Sequence, residues 1–271
     1  MFSWLYMPLL DPAGPIALGE RSVIYTTFAL SAIVVLPVFI MLFLFAWRYR
    51  ASGPLAKRAH APHWDHDSTI AEIVWWVIPA LIILCLSILA WKSSHKLDPY
   101  VPLPGTPLEV EVVALNWKWL FIYPELGVAS VNELVIPQDV PVHFSLTADA
   151  PMNSFWVPQL GGQIMVMPGM STQLNLMATR VGVFQGSSAN ISGEGFSGMA
   201  FTVRAVSAND FAAWASLARL SPSSKPLTQE TYPLLAATST YDRVRYYAPV
   251  GDGLYTTIVN KSMVPMHDMQ M

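Results

Sequence analysis

The sequence predicts an α+β membrane protein: an N-terminal two-helix transmembrane hairpin, then an all-β sandwich, then a C-terminal helical arm. Three observations carry this. Residues 22–47 and 73–91 are two runs without a single charge, each long enough to cross a bilayer. From residue 108 onward, apolar and polar residues alternate with period two for about a hundred residues, the mark of half-buried strands. After Ser207, Phe211, Trp214, Ala215 and Ala218 recur at helical spacing. Composition agrees: 53% of the 271 residues are hydrophobic and only 12% are charged, against ~25% in soluble domains. A net charge of −3 offers no basic surface to a nucleic acid.

Residues 1–21 read as a short periplasmic segment. The first twenty contain no Lys or Arg and no small-residue cleavage site, so they do not form an intact signal peptide. Residues 22–47 form the first transmembrane helix. At ~1.5 Å per residue it spans ~39 Å, more than the ~30 Å hydrocarbon core, so it tilts or protrudes, and Pro37 kinks it. The loop 48–69 holds Arg48, Arg50, Lys57 and Arg58. That places the loop in the cytoplasm and both termini outside. His60, His63 and His66 share this loop with Pro62 and read as solvated imidazoles rather than a metal site. Residues 70–92 form the second helix, with Pro79 inside it. Trp47, Trp75, Trp76 and Trp91 fall near the helix ends, where aromatic belts form.

Residues 93–107, with DPYVPLPGTP, form a stiff proline-rich linker. In the sandwich, residues 108–206, the core-facing sets are Leu108, Val110 and Val112, then Val142, Phe144 and Leu146, then Leu174 and Leu176, then Met199, Phe201 and Val203. Short strands with this punctuation suggest an antiparallel arrangement. The arm occupies 207–260, with Asn209 as a helix cap. Its last apolar piece runs over 246–259. The flexible tail, 261–271, combines methionines with His267 and reads as a disordered terminus.

Two loops in the sandwich stand out: Met152-Asn153-Ser154-Phe155-Trp156-Val157-Pro158, and GSSANISGEGFSGM from Gly186 to Met199. Composition alone reads the second as a Ser/Gly-rich connection. The two in order, with Leu9-Leu10-Asp11-Pro12, Phe45-Ala46-Trp47-Arg48-Tyr49-Arg50-Ala51-Ser52, Asn116-Trp117-Lys118-Trp119 and the arm, resemble subunit II of the cytochrome bo-type ubiquinol oxidases, in the haem-copper oxidase superfamily. The resemblance implies a cupredoxin-like Greek key. It also places the copper ligands of copper-bearing relatives at Asn153, Ser188, Asn190, Ser192, Phe196 and Met199, where only Met199 keeps a ligating side chain. Bridging thiolates and imidazoles are what copper selects, and the only cysteine, Cys85, lies in the second helix run. No metal is therefore expected in this chain. Trp117 and Trp119 match an aromatic segment that leads to the metal in copper-bearing relatives. Here they read as packing, against a neighbouring subunit.

The resemblance further implies a subunit of a proton-pumping terminal oxidase that oxidises ubiquinol and reduces oxygen to water. This subunit would bind no cofactor and serve as a structural periplasmic cap. Haem b, a second haem of o or a type and a single copper would belong to subunit I. The partners would be subunits I, III and IV and membrane lipid, with no cytochrome c and no nucleic acid, in the bacterial inner membrane. Relatives carry a lipidated cysteine before the Leu-Leu-Asp-Pro element. None precedes it here, so no thioether-linked lipid is expected. Thr69-Ile70-Ala71-Glu72 reads locally as a capping box, while the resemblance puts Glu72 at the mouth of a proton pathway. A carboxylate between helix and water suits both roles. Two other classes fit parts of the chain. A cytochrome c oxidase subunit II lacks its thiolates here, and a membrane-tethered β-sandwich module would need no haem protein beside it.

Overall fold

The computed structural model describes residues 7–50, 69–221 and 224–263. Two units emerge, 22–96 and the rest. The first holds most of α1 (Pro15–Arg48) and α2 (Thr69–Lys96). Both helices are apolar on every side: Leu36, Phe43, Ile83 and Leu84 are each more than half exposed within the chain. A helix without a polar face is stable only in a bilayer or under other protein. Pro37 and Pro79 lie inside these helices.

The second unit is a two-sheet sandwich. Its strands are β1 (Leu108–Leu115), β2 (Lys118–Tyr123), β3 (Val128–Val131), β4 (Glu133–Pro137), β5 (Pro141–Ala148), β6 (Asn153–Trp156), β7 (Gln163–Val166), β8 (Thr172–Met177), β9 (Gly182–Ser188) and β10 (Ala200–Val206). The arm follows as α3 (Ala208–Leu220), β11 (Lys225–Leu227), α4 (Tyr232–Ala236), β12 (Arg245–Val250) and α5 (Leu254–Lys261). One sheet has the order β11-β12-β3-β2-β1-β5-β8, the other β4-β10-β9-β6-β7. The core between them takes Val110, Val112, Val142, Phe144, Leu146, Leu174, Leu176, Met199, Phe201 and Val203, the alternating sets of the sequence.

The pairing is not purely antiparallel. β1 pairs with β5, β4 with β10 and β11 with β12 in parallel. Asn132, left-handed at φ 57, turns the chain out of the first sheet after β3. β4 then joins the second sheet, and β5 returns beside β1 running the same way.

Two expected boundaries shift. Helix α2 runs on to Lys96 rather than ending at residue 92. Helix α1 starts at Pro15, not residue 22, because proline suits the first helical position, where no N–H partner is needed. Glu20 and Arg21, which broke the uncharged run, find partners: Gly162 N donates to Glu20 Oε1 at 2.9 Å and Arg21 donates to Leu10 O. Residues 11–20 are thus not a free segment but a strap across the loop after β6. Ala13 N donates to Gln159 O at 2.6 Å, Ala17 N to Leu160 O at 3.2 Å, and Arg180 pairs with Asp11. Gly161, at φ 87, leaves Ala17 N only 2.5 Å from where a Cβ would stand, so only glycine fits there.

The arm, expected to be helical, also adds two strands to the first sheet, with β12 against β3. α4 and α5 cover that sheet's outer face, where Val113, Leu115, Leu120 and Ile122 meet Tyr232, Leu235, Leu254 and Ile258. That second core explains why β2 is buried along its whole length, as a strand covered on both faces must be. The cap of α3 is Ser207, not Asn209: its Oγ accepts from Asp210 N at 3.2 Å.

Candidate functional site

Strands β6 and β9 bring Asn153 and Ser188 together under the sandwich surface, 0% and 5% exposed. Ser188 Oγ lies 3.0 Å from Asn153 Oδ1 and 3.1 Å from Asn190 O, and its one proton serves either acceptor. It accepts from Ser154 N at 3.3 Å and Asn190 N at 3.4 Å. Asn153 Nδ2 donates to Pro151 O at 2.7 Å and Asn190 Nδ2 to Met152 O at 2.9 Å. Hydrogen bonds thus tie the first loop to the second. Each is worth about 0.5–1.5 kcal/mol net.

The other three positions sit farther along the second loop. Met199 is buried in the core, and its O accepts from Ser188 N at 3.4 Å. Phe196 is half-buried in a single 3-10 turn over Phe196–Gly198. Ser192 Oγ is buried and bonds to nothing among the described residues. As a donor set these are two amides, two hydroxyls, a phenyl and one thioether. They do not fit a dinuclear copper centre, which needs soft thiolates and imidazoles. Among the described residues no group of three His, Cys, Asp or Glu could hold a metal.

The two tryptophans part ways. Trp119 is fully buried in the chain's own core, its ring 5.4 Å from Phe155 and 5.6 Å from Phe201. It therefore cannot pack against a neighbour, as the sequence suggested. Its position on β2 aims it between the sheets. Trp117 occupies the two-residue turn between β1 and β2 at φ 64, a left-handed conformation costing a residue with a Cβ about 1–2 kcal/mol. Its indole lies on the second loop. A Cβ on Gly195 would come within 2.3 Å of that ring. From the other side Tyr241 of the arm lies on Gly198, its hydroxyl 3.2 Å from Ser197 Oγ. The second loop is clamped between the aromatic turn and the arm.

Reading the sequence alone missed the residue that fixes this clamp. Lys118, 2% exposed, donates to Ala237 O at 2.8 Å and to Ser239 Oγ, and pairs with Asp242 at 3.1 Å. Asp242 also holds Arg245 at 2.9 Å. Burial alone would raise the Asp242 carboxyl, but Ser239, Lys118 and Arg245 outweigh it and hold it below the usual range. The available signal was a lysine inside an aromatic strand, which needs a buried acceptor.

Glu72 is exposed in the first turn of α2. The helix already includes Thr69, one residue too early for Thr69 to be its cap, and residue 68 lies outside the described residues, as do His60, His63, His66 and His267.

This chain is 46% identical over 259 residues to ubiquinol oxidase subunit 2 of Acetobacter aceti, covering 94% of this chain and 82% of the relative. The chain belongs to the ubiquinol oxidase subunit 2 family. Cytochrome bo(3) ubiquinol oxidase subunit 2 of Pseudomonas aeruginosa is 45% identical, over 94% of this chain and 76% of that one. The Pseudomonas putida subunit is 46% identical, over 93% and 80%. Within the family member described here, residues 110–206 match the model for the periplasmic domain of cytochrome c oxidase subunit II. Residues 222–266 match the COX aromatic-rich motif, the segment that supplies Asp242 and Tyr241 to the clamp.

Proposed function

We propose that this chain is the non-redox subunit II of a terminal ubiquinol oxidase in the bacterial inner membrane. The complex is an oxidoreductase that passes electrons from ubiquinol to oxygen, forming water, beside subunit I. The observation that carries the non-redox role is the hydrogen-bonded knot of Asn153, Ser188 and Asn190 in the place of a metal cage. A lipid-soluble donor delivers electrons inside the bilayer, so no outward-facing metal relay is required. Haem b, a second haem of o or a type and a single copper then reside in subunit I, and subunits III and IV and lipid complete the surroundings. Two apolar helices and the basic loop support a periplasmic sandwich with both termini on the same side. Glu72, exposed at the start of α2, is the candidate proton entrance.

Gentle detergent extraction followed by haem and metal analysis tests this. The chain is expected to co-purify with a large haem protein holding about one copper for every two haem irons, because its own donors do not suit copper. About three coppers per two irons would overturn the non-redox role. A chain that purifies free of haem would overturn the oxidase reading itself.

A further inference from the structure

The end of α2 that leads towards the sandwich departs from the charge pattern of the rest of the chain. Basic residues beside membrane spans gather on the cytoplasmic side, as Arg48 and Arg50 do here. Lys92 and Lys96 instead stand at the opposite end, before the periplasmic domain. A basic group in the last turn suits the helix dipole, which accounts for His95 and Lys96 but not for Lys92, one turn earlier. Both lysines are exposed, and neither makes a hydrogen bond or ion pair among the described residues. With His95 they occupy one side of the helix at i, i+3 and i+4. Trp91, 70% exposed, forms a shoulder with His95: the rings are 4.4 Å apart, and His95 Nδ1 donates to Trp91 O at 2.8 Å.

The same side of α2 continues away from the lysines as a lane of large aliphatic residues. Leu81, Leu84 and Ile88 fall on it by helical spacing, and they are 55%, 55% and 49% exposed. Ala80, Ser87 and Ser94, at seven-residue intervals, lie about 100° further round the helix. Helices pack against one another in membranes through small residues, so the Ala80 side suits a neighbouring helix and the Leu84 side does not. Lysine is depleted from protein interfaces, whereas Trp and Lys above a strip of Leu and Ile mark the boundary between hydrocarbon and headgroups. From Leu81 to Ile88 the lane covers about 10 Å, and Lys92 follows about 6 Å above. An apolar strip with two unpaired cations at its end matches an amphiphile with an anionic head.

We propose that this side of α2 binds one anionic phospholipid of the periplasmic leaflet. Its acyl chain lies along Leu81, Leu84 and Ile88, and its phosphodiester sits at Lys92 and Lys96 beside the Trp91–His95 shoulder. The inference rests on the chain's being an inner-membrane oxidase subunit, and the experiment separates the two. Haem content of the purified preparation reports on the oxidase reading, and lipid binding is read in that preparation whatever its haem content. A photoreactive residue replacing Ile88 is expected, in intact membranes, to acquire the mass of a phospholipid. In mild detergent, native mass spectrometry is expected to show phosphatidylglycerol retained in preference to phosphatidylethanolamine and to glycerol 3-phosphate. Lys92→Gln with Lys96→Gln should lower that retention about 10-fold or more, as two lysines at a headgroup predict. Lys225→Gln with Arg243→Gln removes the same charge from exposed positions of the arm and should leave it unchanged. Cross-linking of residue 88 to a peptide of another subunit overturns the site, as does equal retention of phosphatidylethanolamine. Retention of glycerol 3-phosphate as strong as that of the lipid overturns the role of the aliphatic lane. Retention unchanged in the Lys92 and Lys96 variant overturns the phosphodiester contact.

Discussion

Ser188 shows how a single hydroxyl can tie two loops together. It gathers Asn153, Ser154 and Asn190 with one oxygen, and Asn153 is fully buried. Ser188→Ala leaves that amide oxygen without its donor, so a destabilisation of about 1–3 kcal/mol is expected, read as a lowered thermal midpoint of the purified complex. Gly195→Ala forces a methyl against the Trp117 ring, 2.3 Å away. A cost of about 1–3 kcal/mol is expected, with a change in tryptophan fluorescence that Gly127→Ala, next to no atom within 4 Å, does not share. Glu72→Gln keeps the size and polarity of the side chain but cannot carry a proton. Intact assembly with reduced quinol-driven oxygen consumption is expected, and Glu72→Asp should retain more activity than Gln. Full activity in the Gln variant would leave Glu72 with no part in proton entry.

The element that most changes the picture is the arm. Its helices cover a sheet face that would otherwise expose Leu120 and Ile122, and its Asp242 buckles it to Lys118. Lys118→Met should loosen residues 237–245 and cost about 1.5–3 kcal/mol, the range for hydrogen bonds to a charged group. Faster amide exchange in β12 would show it. Asp242 titrates below its unfolded value of ~3.9, so its contribution is complete above that value and is lost as pH falls through the lower folded-state value. Acid melting curves should therefore steepen below about pH 4 in the wild type and do so less in Asp242→Asn.

At the scale of the whole molecule, the proposed reading makes the sandwich the frame of a copper site without its donors. Asn153→His, Ser188→Cys, Asn190→Glu, Ser192→Cys and Phe196→His together should produce a coloured copper–thiolate centre, detected as visible absorption on adding copper. Removing the Phe196 ring costs about 3 kcal/mol at most sites of this kind, less here because Phe196 is only half-buried. Absence of colour in a folded variant would mean the loops no longer hold the site's shape. The sequence by itself determined what is local: two uncharged runs, the alternation of the core strands, and the missing donors in both loops. These follow from side-chain chemistry and periodicity within a few residues. Tertiary structure decided what depends on distant partners. Pro15 starts α1 early because the loop after β6 binds residues 11–20. Trp119 turns inward because β2 is covered on both faces, and Lys118 tolerates burial only because Asp242, more than a hundred residues away, comes to meet it. A charge or an indole finds its acceptor through the fold, and no window of sequence contains both.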